Sequence, residues 1–205
     1  MQADLRNIFV VRHLHPQIPD GICLGKKNVP LSSEGRKEGK ILADYLLNKN
    51  INNVYSSPLI RARETASIIC DKKLNIRENF AELNMGIWDG LSFDEIKKKF
   101  PKEYIERGND FENYIIEGGE SLSMCKKRAM SELDTIIRET DGNILVVTHA
   151  GVIRTIVSSI AKTRMTDTFE YKIDYGSITL LSIDDNKLNL IKIGDLEYKN
   201  NIRED

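Results

Sequence analysis

An α/β fold in three layers, a mostly parallel sheet with helices on both faces, is predicted by three features of this 205-residue chain. Short apolar runs alternate with amphipathic stretches, the pattern of strands joined by crossover helices. Two histidines, His13 and His149, each stand where an apolar run stops and the chain turns toward a helix. No internal repeat, low-complexity tract or linker breaks the alternation, so residues 1–205 read as one domain.

The elements follow in order. Asn7 to Val11 is a first buried strand. Ser32 caps a helix with Glu34 in its first turn, and Ile41, Leu42, Tyr45 and Leu46 form its apolar stripe. Asn53 to Ser56 is a short strand, after which Pro58 sits just inside the start of a helix through about Cys70, where its missing N–H does no harm. Ser92-Phe93-Asp94-Glu95 is a capping box that opens a short helix ending before Pro101. From Pro101 to Gly119 the pattern is mixed, and residues 92–120 are expected to form a helical cover over the active site. Leu122, Cys125, Ala129, Leu133, Ile136 and Ile137 mark a long amphipathic helix. Ile144 to Thr148 is a central strand and Val152 to Ile160 a buried helix. Gly176 to Ile183 and Leu188 to Ile193, flanking Asp184-Asp185-Asn186, form a closing hairpin. The charged end, Tyr198 to Asp205, is expected to fray.

Bulk properties narrow the partners. The chain is 40% hydrophobic and 30% charged with net charge -1, so nothing global attracts it to nucleic acid or an anionic membrane. Met1 to Arg6 lacks the apolar stretch of a signal peptide, and no apolar run approaches the roughly 20 residues of a membrane span. Three cysteines, Cys23, Cys70 and Cys125, are far apart and outside any Cys-x-x-Cys pattern, as expected for reduced thiols in a cytoplasmic protein. Cys70 and Cys125 fall within apolar helix patterns and are expected to pack there; Cys23 falls in a loop expected to border the site. A monomer or a homodimer is compatible with all of this.

In an open α/β sheet, ligands collect at the carboxyl ends of strands. Two imidazoles there, one preceded by Arg12, suggest phosphoryl transfer, although a buried structural histidine would account for either one alone. Such chemistry needs cations on the phosphoryl oxygens, a nucleophile and an acid for the leaving oxygen. Arg12 and Arg61 fit the first need, since guanidinium matches phosphate in a two-pronged way. Arg61 also lies near a helix amino end, which favours an anion; the plainer reading is a solvated helix arginine. His13, beside two arginines, has its protonated form disfavoured, leaving a nitrogen free to attack phosphorus. His149 is placed to hydrogen-bond the transferring group. Glu82 is the candidate proton donor, because a carboxyl beside a phosphate holds its proton more readily; taken alone it would pass for a surface glutamate.

Together these residues resemble the histidine phosphatase superfamily, also called the phosphoglycerate mutase-like family. The resemblance runs from Val10 to about Leu181. It is carried by Val11-Arg12-His13, Val29-Pro30-Leu31-Ser32 with Gly35, Ser57-Pro58-Leu59-Ile60-Arg61-Ala62 with Thr65-Ala66, and Glu82-Leu83-Asn84-Met85-Gly86-Ile87-Trp88-Asp89-Gly90. Gly119-Glu120-Ser121 and Thr148-His149-Ala150-Gly151-Val152-Ile153-Arg154 complete it. It implies a phosphoglycerate mutase-like α/β fold, a phosphohistidine at His13, a phosphate pocket of Arg12, Arg61 and His149, Glu82 as acid, and no metal or organic cofactor. Ala150, His15, Cys23 and Leu24 are expected on the substrate side.

One departure stands out. The family usually has glycine after the nucleophilic histidine, often followed by Glu or Gln and then Thr, where this chain has Leu14-His15-Pro16. Leucine tolerates positive φ poorly, which predicts a different turn or backbone strain. His15 is within reach of a substrate, although a plain loop histidine is the simpler reading. The length and the loop Gly21 to Leu31, with Tyr175-Gly176-Ser177-Ile178-Thr179-Leu180-Leu181, resemble the α-ribazole phosphatase and small-molecule phosphatase branch. Lys26 and Lys27 in that loop read as exposed lysines. The expected activity is therefore metal-independent hydrolysis of a small-molecule phosphate monoester, with α-ribazole 5′-phosphate of cobalamin synthesis as a candidate. The alternatives are a phosphoglycerate mutase-type isomerase, a metal hydrolase built on His13-Leu14-His15, and a binding protein on the same fold.

Overall fold

The computed structural model describes residues 6–184 and 187–201. The expectations for Met1 to Leu5, for the turn residues Asp185 and Asn186 and for 202–205 lie outside them. Six strands form one sheet: β1 (Arg6–Arg12), β2 (Ile51–Ser56), β3 (Leu74–Ile76), β4 (Asn143–Thr148), β5 (Ile178–Asp184) and β6 (Lys187–Asp195), in the order β3-β2-β4-β1-β5-β6. β1, β2, β3 and β4 pair in parallel, while β5 is antiparallel to both β1 and β6, so β5 alone runs against the other strands. Three-residue β3, between two charged or polar stretches, is too short to leave a period in the sequence.

Helices α1 (Ser33–Leu47) and α2 (Ile60–Ile69) cover one face; α5 (Leu122–Glu139) and α6 (Ala150–Ala161) cover the other. Because strand side chains alternate, Ile8 and Val10 enter the core beneath α5 and α6, while Phe9 and Val11 enter the core beneath α1 and α2. That is why β1 reads as an unbroken apolar run. Between α2 and α5 lie α3 (Phe93–Lys99) and α4 (Pro101–Asn109).

Capping chemistry sets the helix starts. Ser32 Oγ accepts the Gly35 N–H at 3.0 Å, and Ser92 and Glu95 form both bonds of the capping box. α2, however, starts at Ile60 rather than around Pro58. Ser57 N–H continues the sheet to the Val147 carbonyl, and Ser57 Oγ takes the Leu59 N–H, which holds Leu59 extended and delays the helix. Two further expectations are corrected. Cys70 is only half-buried, because it caps α2 outside the stripe. Tyr198, expected in a fraying end, is 1% exposed, its hydroxyl donating to Glu38 Oε1 at 2.5 Å. Among the described residues, no helix is long and apolar enough to cross a membrane.

Candidate active site

The sheet register builds the site. β1 and β4 lie side by side in parallel with Arg12 opposite Thr148, so the next residues, His13 and His149, emerge together at their carboxyl ends. The two rings lie 5.0 Å apart between centroids, and His13 is 3% exposed. His13 Nδ1 donates to the Leu14 carbonyl at 2.8 Å, which leaves Nε2 as the unprotonated nitrogen. Arg61 Nε donates to that nitrogen at 3.2 Å. Burial holds the His13 pKa well below the ordinary histidine value, with Arg61 and then Arg12 adding to the effect. Desolvation therefore outweighs the two arginines that the sequence places beside it.

His149, fully buried, shows the same direction for the same first reason, followed by Arg61 and His13. Its Nε2 lies 2.7 Å from Ser57 Oγ, while Nδ1 has no hydrogen-bond partner among the described residues. Arg12 Nη1 donates to the Ile173 carbonyl at 2.7 Å and its guanidinium stacks on the Tyr175 ring at 3.7 Å, yet its Nε is also unpartnered. Buried polar atoms ordinarily find partners. Two unsatisfied nitrogens beside two guanidiniums mark a pocket suited to an oxyanion.

Arg61, 1% exposed, is aimed by backbone carbonyls: Nη1 donates to Lys27 O at 2.8 Å and Nη2 to Gly25 O at 2.7 Å. Asp89 clamps the same loop, accepting the Gly25 and Lys27 N–H groups at 2.8 Å each. The Lys26 and Lys27 residues themselves are exposed, as read from sequence. Glu82 reaches the first turn of α6, where Gly151 N–H donates to Oε2 at 3.3 Å and Leu83 N–H to Oε1 at 2.8 Å. A Cβ on Gly151 would stand 2.4 Å from Glu82 Oε1, so glycine is what admits the carboxylate. Ala150 opens the same turn, immediately after His149.

Cys23 and Leu24 line a cavity of about 180 Å³ together with Glu82 and Gly151. Burial and then Asp89 push the Cys23 thiol up to about 12, so it is an apolar wall rather than a nucleophile. His15 lies beside Tyr175: its Nδ1 lies 3.1 Å from Ser32 Oγ at the start of α1, and its ring meets that of Tyr175 edge-on at 5.1 Å. Tyr175 in turn lies 5.4 Å from His13, so one ring touches both histidines and Arg12. Among the described residues, no group of three or more His, Cys, Asp or Glu side chains is placed to hold a metal ion.

The strain predicted at Leu14 is absent. Among the described residues, only Asn50 and Lys162 have positive φ outside glycine. Leu14 N–H donates to Thr65 Oγ1 at 3.0 Å, and its side chain is fully buried in the core under α1 and α2. Gly176 makes room: a Cβ there would lie 3.1 Å from Leu14 Cδ2 and closer still to Tyr198 and Glu38. Sequence reasoning assigned no role to Ser57, Thr65, Asp89 or Tyr175. All four lie inside or beside the motifs that carried the resemblance, which was the available signal.

With that geometry in place, comparison with known proteins is direct. Residues 8–196 match the model of the histidine phosphatase superfamily (branch 1), and the chain belongs to that family. It is accordingly a phosphatase. Phosphoserine phosphatase 1 of Hydrogenobacter thermophilus is 25% identical over 191 residues, covering 91% of this chain and 90% of the relative. A metal-independent phosphoserine phosphatase of Arabidopsis thaliana is 30% identical over 173 residues, covering 79% and 71%. The crystal structure of the α-ribazole phosphatase from Shigella flexneri superposes with a TM-score of 0.83 at 20% identity, covering 92% of this chain and 96% of the other.

Proposed function

We propose that this protein hydrolyses a small-molecule phosphate monoester through a phosphohistidine on His13, without a metal. The observation that carries the reading is the unprotonated Nε2 of His13, which accepts a hydrogen bond from Arg61 while the other ring nitrogen donates to the Leu14 carbonyl, with the Arg12 guanidinium nearby. Nε2 attacks phosphorus, the ester P–O bond breaks, and the leaving oxygen takes a proton from Glu82. Water then attacks the phosphohistidine and gives a proton to the Glu82 carboxylate, the P–N bond breaks with its electron pair returning to His13 Nε2, and inorganic phosphate leaves. Arg12, Arg61 and His149 hold the phosphoryl oxygens; preorganised donors of this kind contribute about 3 kcal/mol each to the transition state. Residues 92–120, with α3 and α4, serve as the cover over this end of the sheet.

Two esters are suggested by resemblance alone and are assayed first. α-Ribazole 5′-phosphate follows from the resemblance of the Gly21 to Leu31 loop, and phosphoserine from the names of two relatives. Phosphate release with chelator present, from these esters, 3-phosphoglycerate and several sugar phosphates, tests the reading. Strong preference for the ribazole ester supports a place in cobalamin synthesis. Movement of the phosphoryl group within 3-phosphoglycerate without release of phosphate would replace the hydrolase with a mutase.

A further inference from the structure

An apolar cavity of about 300 Å³ adjoins the Glu82 cavity, with Met85 and Phe93 lining both. Its other walls come from distant segments: Trp88, Tyr104 on α4, Phe111, and Phe169 after α6. The rings support one another. Trp88 and Tyr104 lie 6.2 Å apart, and Phe111 meets Phe169 edge-on at 5.4 Å.

Arg107 also lines this cavity. Its guanidinium lies 4.4 Å from the Phe111 ring, and among the described residues it makes no ion pair with a carboxylate. Burial lowers its pKa. Arg154 contrasts with it: stacked on Phe169 at 4.3 Å, it donates to the carbonyls of Thr168 and Tyr171. A guanidinium in apolar surroundings with no acid beside it is suited to a carboxylate supplied from outside.

We propose that this cavity receives the leaving group of the substrate and selects an aromatic ring bearing a carboxylate, with Arg107 as the specificity-determining cation. This rests on the assignment of Glu82 as acid, which places the leaving oxygen in the smaller cavity, beside the Met85 and Phe93 walls that it shares with this one. Aromatic walls favour a flat apolar body, and the single cation fixes which end points inward.

Trp88 is the only tryptophan in the chain, so its emission reports occupancy. Wild type, Arg107→Met and Arg107→Lys are titrated with phenylphosphonate and 4-carboxyphenylphosphonate, which cannot be hydrolysed. Wild type should bind the carboxylated ligand about tenfold more tightly, the scale of a charge-assisted contact. Arg107→Met should erase that preference without changing phenylphosphonate affinity, and Arg107→Lys should restore part of it. Equal affinities in wild type, a preference retained by Arg107→Met, or no change in Trp88 emission with either ligand would overturn the proposal. Because the titration needs no turnover, its failure is distinct from a failure of phosphate release.

Discussion

At the scale of single residues, the site depends on which nitrogen carries a proton. The Leu14 carbonyl fixes Nδ1–H on His13, and a buried site beside two guanidiniums keeps Nε2 bare. His13→Ala should therefore lower turnover at least about a thousandfold while the far-ultraviolet circular dichroism stays unchanged. Undiminished phosphate release would sink the mechanism. Glu82→Gln should slow the first step most for esters with poor leaving groups, read as a steeper dependence of rate on leaving-group pKa. Leu14 has a structural part in the same turn. Leu14→Ala opens a cavity against Gly176 and should cost about 2–5 kcal/mol in denaturant unfolding.

At the scale of elements, Glu82, the proposed acid, is held by a helix it does not belong to. Arg128 on α5 donates to the carbonyls of Asn79 at 2.6 Å and Glu82 at 3.2 Å, and forms a two-pronged pair with Glu120 at 2.7 and 3.0 Å. Glu120 Oε1 also accepts the Asn84 N–H at 2.9 Å, so both ends of the Glu82 loop are tied to one ion pair. Arg128→Met leaves Glu120 mostly buried and unpaired, and should destabilise the fold by about 3 kcal/mol. A positioning role further predicts that the folded variant loses kcat more than KM, chiefly on poor leaving groups. A uniform loss across leaving groups would leave Arg128 a purely structural residue. Most elements here were legible because a cap or an apolar stripe announced them, as at Ser32, Ser92 and α5. The start of α2 was not, because Pro58 in the sequence gives no sign that Ser57 would be drawn into the sheet by Val147.

At the scale of the whole molecule, burying two neutral histidines links stability to pH. Both have folded-state pKa values well below 6.5, so below about pH 6.5 the unfolded chain takes up protons that the folded chain refuses. Stability should fall as pH drops through that range, by up to about 1.4 kcal/mol per pH unit for each histidine, with no such loss above it. Thermal unfolding of wild type and His149→Asn between pH 7.5 and 5.5 checks this: wild type should lose more Tm. Parallel slopes would show that His149 does not contribute. The topology accounts for that burial, since β4 and β1 are the two middle strands of the sheet and bring both rings to one end of its centre.

The layered architecture and the residues available for chemistry are legible in the amino-acid sequence. Periodicity, caps and the placement of His13 and His149 at strand ends are local properties, written in neighbouring side chains. Only the tertiary structure decided that β1 and β4 are adjacent and in register, that Tyr175 stacks on Arg12 and that Asp89 aims Arg61 through two loop carbonyls. It also decided that Leu14 is a core residue and that Tyr198 is packed near the charged end. These contacts join segments far apart along the chain, and their energies depend on burial and register, which no local pattern of residues encodes.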